Sequence, residues 1–291
     1  MMPAATAAPA SPALAPEAAH VWDKAAAGWN SNAVSIHAWL SSITTAMLDA
    51  ARIETGSRVL DIAAGAGGQT LDIARRVGAH GYVLATDVSP RILALARDNA
   101  AAAGLTQVKT RVADAQSLGL AGSDFDAAVC RLGLMLCTDP LRALHEARAA
   151  LKPGGRLAVV VFSTPQSNPC LSLMMAAALK AAAQPGKSPF TPGSLLSLGQ
   201  PGRMAQIMHD AGFEAVEVQA VAAPFRLPSA RHYVDFVRSS GSPIMEILAE
   251  LDQSAQNDAW LAMQTQLDVF TTPTGWVGPN ELLLASAKSA G

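Results

Sequence analysis

The sequence predicts an α/β fold, a doubly wound and mostly parallel sheet with helices on both faces. Three observations carry that reading. Short apolar runs alternate with helical patterns from Val59 to Ser163, and strand–helix alternation marks parallel βαβ units. Half of the 291 residues are hydrophobic and only 15% are charged, which is enough apolar material to cover a sheet on both sides. Aromatic residues make up 5% and alanine supplies much of the rest, a balance that favours helices packed on a sheet over an all-β sandwich.

Three parts are expected: a disordered Ala/Pro-rich tail over residues 1–19, a helical cap over 20–55, and the α/β domain over 56–291. The tail has no basic residue before Lys24, and Pro3, Pro9, Pro12 and Pro16 interrupt it, so it does not read as a secretory signal. In the cap, Trp22, Ala26 and Trp29 share one face of a short helix. Ile36, Trp39, Leu40, Ile43, Met47 and Leu48 then recur at helical spacing between about Ser35 and Arg52. SRVLDIAAGAGG is a buried strand running into a tight glycine turn. The helix TLDIARRV stops at Gly78, GYVLATDV is the second strand, and Ser89 caps a helix with Pro90 at its first position. QVKTRVADA and FDAAVCRLGL are the third and fourth strands; DPLRALHEARAAL is a helix, and the turn KPGG leads into the strand RLAVVVFS. Beyond Ser163 the rhythm loosens, with helical insertions expected at about 168–200 and 229–270. Between them lie the helix RMAQIMHDAGF and the strand FEAVEVQAVAAPF, and NELLLASAK is the last strand.

Composition excludes several classes. The net charge is -2 and no basic run is present, so neither nucleic acid nor an anionic membrane is an expected partner. The longest apolar stretch, Cys170 to Ala183, is too short to span a bilayer and carries Lys180. Cys130, Cys137 and Cys170 form no C-x-x-C pair, which fits a reduced, cytoplasmic setting and three small buried hydrophobes. The six histidines are scattered without zinc spacing, and no metal is expected.

Open α/β sheets bind ligands beyond the carboxyl ends of their strands. Asp61, Ala63, Gly65 and Gly67 follow the first strand, Asp87 and Val88 the second, Asp114 and Ala115 the third, and Arg131 the fourth. Four successive strand ends therefore carry groups aimed at one crevice. Glycines at 65 and 67 let the backbone turn sharply and approach a ligand. A carboxylate at position 87 can accept both hydroxyls of a ribose, and Asp114 can accept from an exocyclic amine such as adenine's. Asp61 discriminates between ligands, because a carboxylate beside the turn repels a pyrophosphate and favours an ammonium and a sulfonium. Each aspartate also has a plain use, capping a helix or satisfying a turn; their order along one sheet end favours a nucleoside site.

These motifs resemble the class I S-adenosylmethionine-dependent methyltransferases, and in particular the group containing the ubiquinone/menaquinone C-methyltransferases. VLDIAAGAGG resembles that family's first motif, TDVSPRIL its second-strand motif, VADAQSL its third, and LKPGGRL the turn before the fifth strand, over Val59 to Ser163. The resemblance implies a seven-stranded, Rossmann-like sheet whose last strand is antiparallel. It implies S-adenosylmethionine as cofactor and S-adenosylhomocysteine as product. Asp61, Gly65 and Gly67 would hold the methionine part, Asp87 the ribose, and Asp114 with Ala115 the adenine edge. Arg131 would line the methyl-transfer side, and Trp29 would cover the cofactor. The stretch RLGLMLCTDP departs from the quinone group's own signature, so a quinone is one option among acceptors.

Methyl transfer from a sulfonium requires alignment, with a general base needed only when the acceptor must lose a proton. His37, His145 and Arg131 are the catalytic candidates, and surface exposure is the plain reading of His145. Leu171, Leu173, Met174, Met175, Phe190, Phe236 and Met245 make the cap and insertions apolar. They suggest a mobile Met-lined lid over a small hydrophobic or aromatic acceptor; a core or a homodimer interface is their other use. Two other functions compete. A non-catalytic nucleoside-binding protein would keep the site alone. An NAD(P)-dependent oxidoreductase is disfavoured by Asp61, by the loop GAGGQT, and by the lack of a lysine four residues after Tyr82 or Tyr233.

Overall fold

A computed structural model describes residues 16–122, 124–186, 188–240 and 243–290. The tail reading for residues 1–15 lies outside the described residues. For residues 16–19 it is corrected: helix α1 spans Pro16–Ser31. Proline at the first helical position costs nothing, because its missing N–H would find no partner there anyway. Helix α2 (Ala33–Ala50) buries Ile36, Leu40, Ile43, Met47 and Leu48, the stripe its spacing predicts.

The α/β alternation then runs β1 (Arg58–Ile62), α3 (Gly68–Val77), β2 (Tyr82–Asp87), α4 (Pro90–Ala102), β3 (Val108–Val112), β4 (Phe125–Arg131), α5 (Pro140–Ala150) and β5 (Leu151–Phe162). Ser89 caps α4 by accepting the Ile92 N–H at 3.0 Å, and Asp139 caps α5 by accepting from Arg142 at 3.0 Å. Strand β5 starts before the KPGG turn rather than after it. Leu151 already pairs with Phe125, and the register shifts before Ala127 meets Arg156, so KPGG is a bulge within the strand.

The remainder comprises α6 (Pro169–Ala181), α7 (Arg203–Asp210), β6 (Phe213–Ala222), β7 (Phe225–Leu227), α8 (Ala230–Ser239), α9 (Pro243–Leu248), α10 (Gln253–Leu267), β8 (Thr271–Thr272), β9 (Gly275–Gly278) and β10 (Glu281–Ser289). The main sheet has seven strands in the order β3-β2-β1-β4-β5-β10-β6. Its β1–β2, β2–β3, β1–β4 and β4–β5 pairs are parallel, and β10 runs antiparallel between β5 and β6. The chain reverses direction across the sheet between β1 and β4, which opens a crevice at their carboxyl ends.

A second sheet, β7-β9-β8, has no counterpart in the sequence reading. It closes a separate core with α6, α8, α9 and α10 around Trp276, whose fully buried indole donates to the Leu267 carbonyl at 2.8 Å. Met174 lies inside this second core, fully buried, with Met175, Met245 and Phe236 packed against it. The Met-lined lid is thereby corrected: a helix that is apolar nearly all round packs into a core in preference to standing over a cleft. Trp39 of α2 joins the two cores, stacking at 4.7 Å on Phe225 and at 6.2 Å on Phe162. Among the described residues no helix is long and apolar enough to cross a membrane.

Candidate active site

A cleft with about 1040 Å³ of empty space, counted out to its open mouth, lies beyond the carboxyl ends of β1 to β4. Ala63, Gly65, Asp87, Val88, Asp114, Ala115, Arg131 and Trp29 all line it, so the structure brings most of the sequence-predicted residues together.

The loop from β1 to α3 explains its own glycines. Gly65 and Gly67 have φ of 58° and 90°, the left-handed region that favours glycine. A Cβ on Gly65 would stand 3.1 Å from the Trp29 indole nitrogen, and one on Gly67 would press at 3.1 Å on Ala96 of α4. Ala63 is left-handed too, at 56°, and its methyl group sits where a side chain on Gly133 would lie.

Asp61 is fully buried and lies behind this loop rather than in the cleft wall. Its carboxylate accepts from Gln69 Nε2 at 3.0 Å and from the Thr70 hydroxyl. Burial pushes its pKa up to about 6, opposed by the Thr70 and Gln69 hydrogen bonds and by the charge of Arg131. Thr70, which stands where a dinucleotide-binding loop would carry glycine, is therefore a partner of Asp61.

Asp87 is 8% exposed. It accepts from the Gly65 N–H at 2.9 Å through one oxygen and from the Ser89 N–H at 3.0 Å through the other. The turn-satisfying and ligand-binding uses coexist, since each carboxylate oxygen keeps a second lone pair. Burial raises its pKa against those backbone hydrogen bonds. Asp114 accepts from the Gln116 N–H at 2.8 Å, and the Gln116 carboxamide oxygen accepts from Thr138 and from the Asp139 N–H at 2.7 Å. Gln116 thus ties the β3 end to the segment after β4. No motif signalled that role.

Arg131 is also 8% exposed. Its Nη1 donates to Thr44 of α2 at 2.6 Å, and its Nη2 lies 3.2 Å from where a Cβ on Gly68 would stand. Burial draws its pKa down to about 10, resisted by the charges of Asp61 and Asp72.

The roof of the cleft is α1. Trp22 and Trp29 line it and meet edge to face with centroids 6.1 Å apart. Asp23, which the sequence reading passed over, accepts from the Ser89 hydroxyl and from the Arg91 N–H at 3.1 Å, fastening α1 to the start of α4. Asn99 donates to Asn30 at 2.9 Å, and Asn32 donates to Ser239 of α8 at 2.8 Å.

The histidine candidates lie elsewhere. His37 is 57% exposed with its ring 3.7 Å from Asp72, and His145 sits on the exposed face of α5. Neither lines the cleft. Helical spacing alone gave these residues no reason to face inward, and they face water. The Cys130 thiol is buried and pushed up to about 12, which makes it inert as a nucleophile.

The profile of a methyltransferase domain matches residues 59–155. The ubiquinone/menaquinone biosynthesis C-methyltransferase UbiE of Klebsiella pneumoniae is 31% identical over 185 residues, covering 60% of this chain and 74% of that protein. The UbiE of Teredinibacter turnerae is 41% identical over 117 residues, 40% of this chain and 47% of the relative. The chain spans about half the length of most such relatives. A structure of Haemonchus contortus phosphoethanolamine N-methyltransferase 2 superposes with a TM-score of 0.56 at 18% identity, covering 90% of this chain and 58% of that one, a likeness of fold. With 74% of the Klebsiella relative covered at 31% identity, the chain belongs to the class I S-adenosylmethionine-dependent methyltransferase family.

Proposed function

We propose that this cleft binds S-adenosylmethionine and that the protein methylates a small, apolar or aromatic acceptor. The observation that carries the reading is the convergence of Asp87 and Asp114 on one cleft, beside a glycine turn roofed by Trp29. The residues fit the cofactor. The missing Cβ of Gly65 leaves a slot under the indole, and the free lone pairs of Asp87 suit a ribose diol. Asp114 is held by Gln116 with acceptor capacity to spare for an adenine amine, and Val88 and Ala115 flank it with small apolar surface. Asp61 orients the loop through Gln69 and Thr70, acting as a positioning residue.

Bound cofactor supplies a methyl group on a sulfonium, an already good leaving group. The chain's own work is alignment and exclusion of water, effects that reach about 7–11 kcal/mol in favourable cases. Leu40, Leu132 and Leu136 give the cleft an apolar wall, and the relatives named for quinone C-methylation support an aromatic, quinone- or phenol-like acceptor. His37 and His145 are too exposed and too distant to serve as base.

Calorimetric titration with S-adenosylmethionine, S-adenosylhomocysteine and NAD in parallel tests the proposal, using wild type and Asp87→Ala. Binding of both adenosyl ligands and not of NAD, weakened at least about a hundredfold in the variant, is the expected result; that is the scale of losing two charge-assisted hydrogen bonds. Binding of NAD, or of nothing, overturns it. Binding without methyl transfer to any phenol or quinol favours a nucleoside-binding protein.

A further inference from the structure

Resting on that reading, we propose that Arg131 is an anion receptor for the acceptor, and that the acceptor is an acid, a phenol or enol methylated in its ionised form. Three independent observations meet at this residue. Its guanidinium is nine-tenths buried yet lines the cleft. It has five N–H donors, and among the described residues its side chain makes one hydrogen bond, to Thr44, and no carboxylate lies within 4.0 Å of it. Asp61 and Asp72 answer its charge only from beyond contact distance; a buried charge without a contacting partner is costly, and a ligand that brings the opposite charge to it lowers that cost.

The second observation is the helix beside it. The first turn of α3 has no side-chain cap, and among the described residues no acceptor meets the N–H groups of Gly68, Gln69 and Thr70. Its positive end adds to the field of the guanidinium, whose Nη2 sits against Gly68. The third is what the wall lacks. Apart from Arg131, its titratable side chains are Asp87, Asp114 and Cys137, the first two engaged by backbone N–H groups and the thiol pushed far up by burial. Among the described residues lining the cleft, no histidine, lysine or tyrosine is placed to strip an acceptor, and the two carboxylates are those assigned to the cofactor. A cation in an apolar pocket does that work differently, by lowering the pKa of the acceptor itself: the proton passes to water and the electron pair stays on the acceptor oxygen, held by Arg131. A neutral acceptor would leave the guanidinium without an anion in contact.

An anionic oxygen at Arg131 has two sources, the acceptor or the carboxylate of the cofactor's amino-acid end, and one set of titrations separates them. The probe is 4-nitrophenol, whose ionised form absorbs visible light, added to wild type, Arg131→Met and Arg131→Lys with and without saturating S-adenosylhomocysteine. The expected result is ionised probe on wild type at a pH where the free phenol is mostly protonated. Arg131→Met should weaken that binding about tenfold or more, the scale of one charge-assisted pair, with Arg131→Lys between them. Affinities for S-adenosylhomocysteine and for methylthioadenosine, which lacks the amino-acid end, should stay within about twofold of wild type. Loss of S-adenosylhomocysteine binding with methylthioadenosine retained would hand the guanidinium to the cofactor and overturn the proposal. So would a probe that binds wild type only as the neutral phenol or not at all. Retained methylthioadenosine binding and a melting temperature near wild type show that a variant has folded. Failure of wild type to bind either adenosyl ligand strikes the cofactor reading, while the probe titration without cofactor still decides the role of Arg131.

Discussion

The strand-end cleft and the second core are built from residues of opposite legibility. At the cleft, Asp87 and Asp114 follow consecutive strands, and topology alone brings them to one place. In the second core, Met174 and Phe225 come from elements far apart in sequence, and only tertiary packing decides which surface they cover. A polar residue at a strand end has few destinations in this fold: the crevice, as for Asp87 and Asp114, or the loop behind it, as for Asp61. An apolar residue on a helix has several, and core packing usually wins because it removes the most area from water.

The largest effect that separates the two regions is expected from Trp276→Ala. The indole is fully buried and donates to the Leu267 carbonyl, so its loss leaves a cavity and an unmet acceptor. A destabilisation of about 3–5 kcal/mol should appear in chemical denaturation. Affinity for S-adenosylhomocysteine in the folded protein should be unchanged. If affinity falls in proportion to stability, the two regions are one cooperative site.

Asp61 sharpens the comparison from the cleft side. Its folded pKa of about 6 lies above the ordinary 3.8 because burial penalises the charge. Between those values the folded state binds more protons than the unfolded one, so this group's contribution to stability falls as pH rises through about 4 to 6. The shift corresponds to roughly 3 kcal/mol. Asp61→Asn has no charge to bury and can still accept from Gln69 while donating to Thr70. The stability difference between variant and wild type should therefore move in the variant's favour across that window and level off above it. A difference that is flat with pH would mean the carboxylate is not desolvated.

Gly28→Ala addresses how the two regions are joined. A Cβ there would overlap the Ser239 carbonyl oxygen of α8 at 1.6 Å, so α1 must move. A cost of about 1–3 kcal/mol is typical of such overpacking. Because Trp29 rides on the same helix over Gly65, S-adenosylhomocysteine affinity should drop several-fold with it. Loss of stability at full affinity would show that α1 is a strut and no roof.

How much of this was legible follows the same division. Sheet, the α4 cap and cleft residues follow from strand-end chemistry and from Ser89 preceding a proline. Asp23, Gln116 and Thr44 did not, because each is a single polar residue on a predicted element and its partner is remote in sequence. Strands β8 and β9 are too short, at two and four residues, to show any alternation.

The smallest expected effect belongs to His37 and His145, and its smallness is informative. Both are exposed; His37 lies 3.7 Å from Asp72 with its ring more than half open to solvent. Exchange to alanine should change stability by no more than about 0.5 kcal/mol, as for other surface sites. Their position away from the cleft gives them no proton to move, so the pH profile of methyl transfer by the double variant should overlay that of wild type. A profile that loses a limb near neutral pH would place a histidine within reach of the acceptor. The cap would then have to close further than α1 and α2 do here, and the division between a legible cleft and an inert surface would fail at that point.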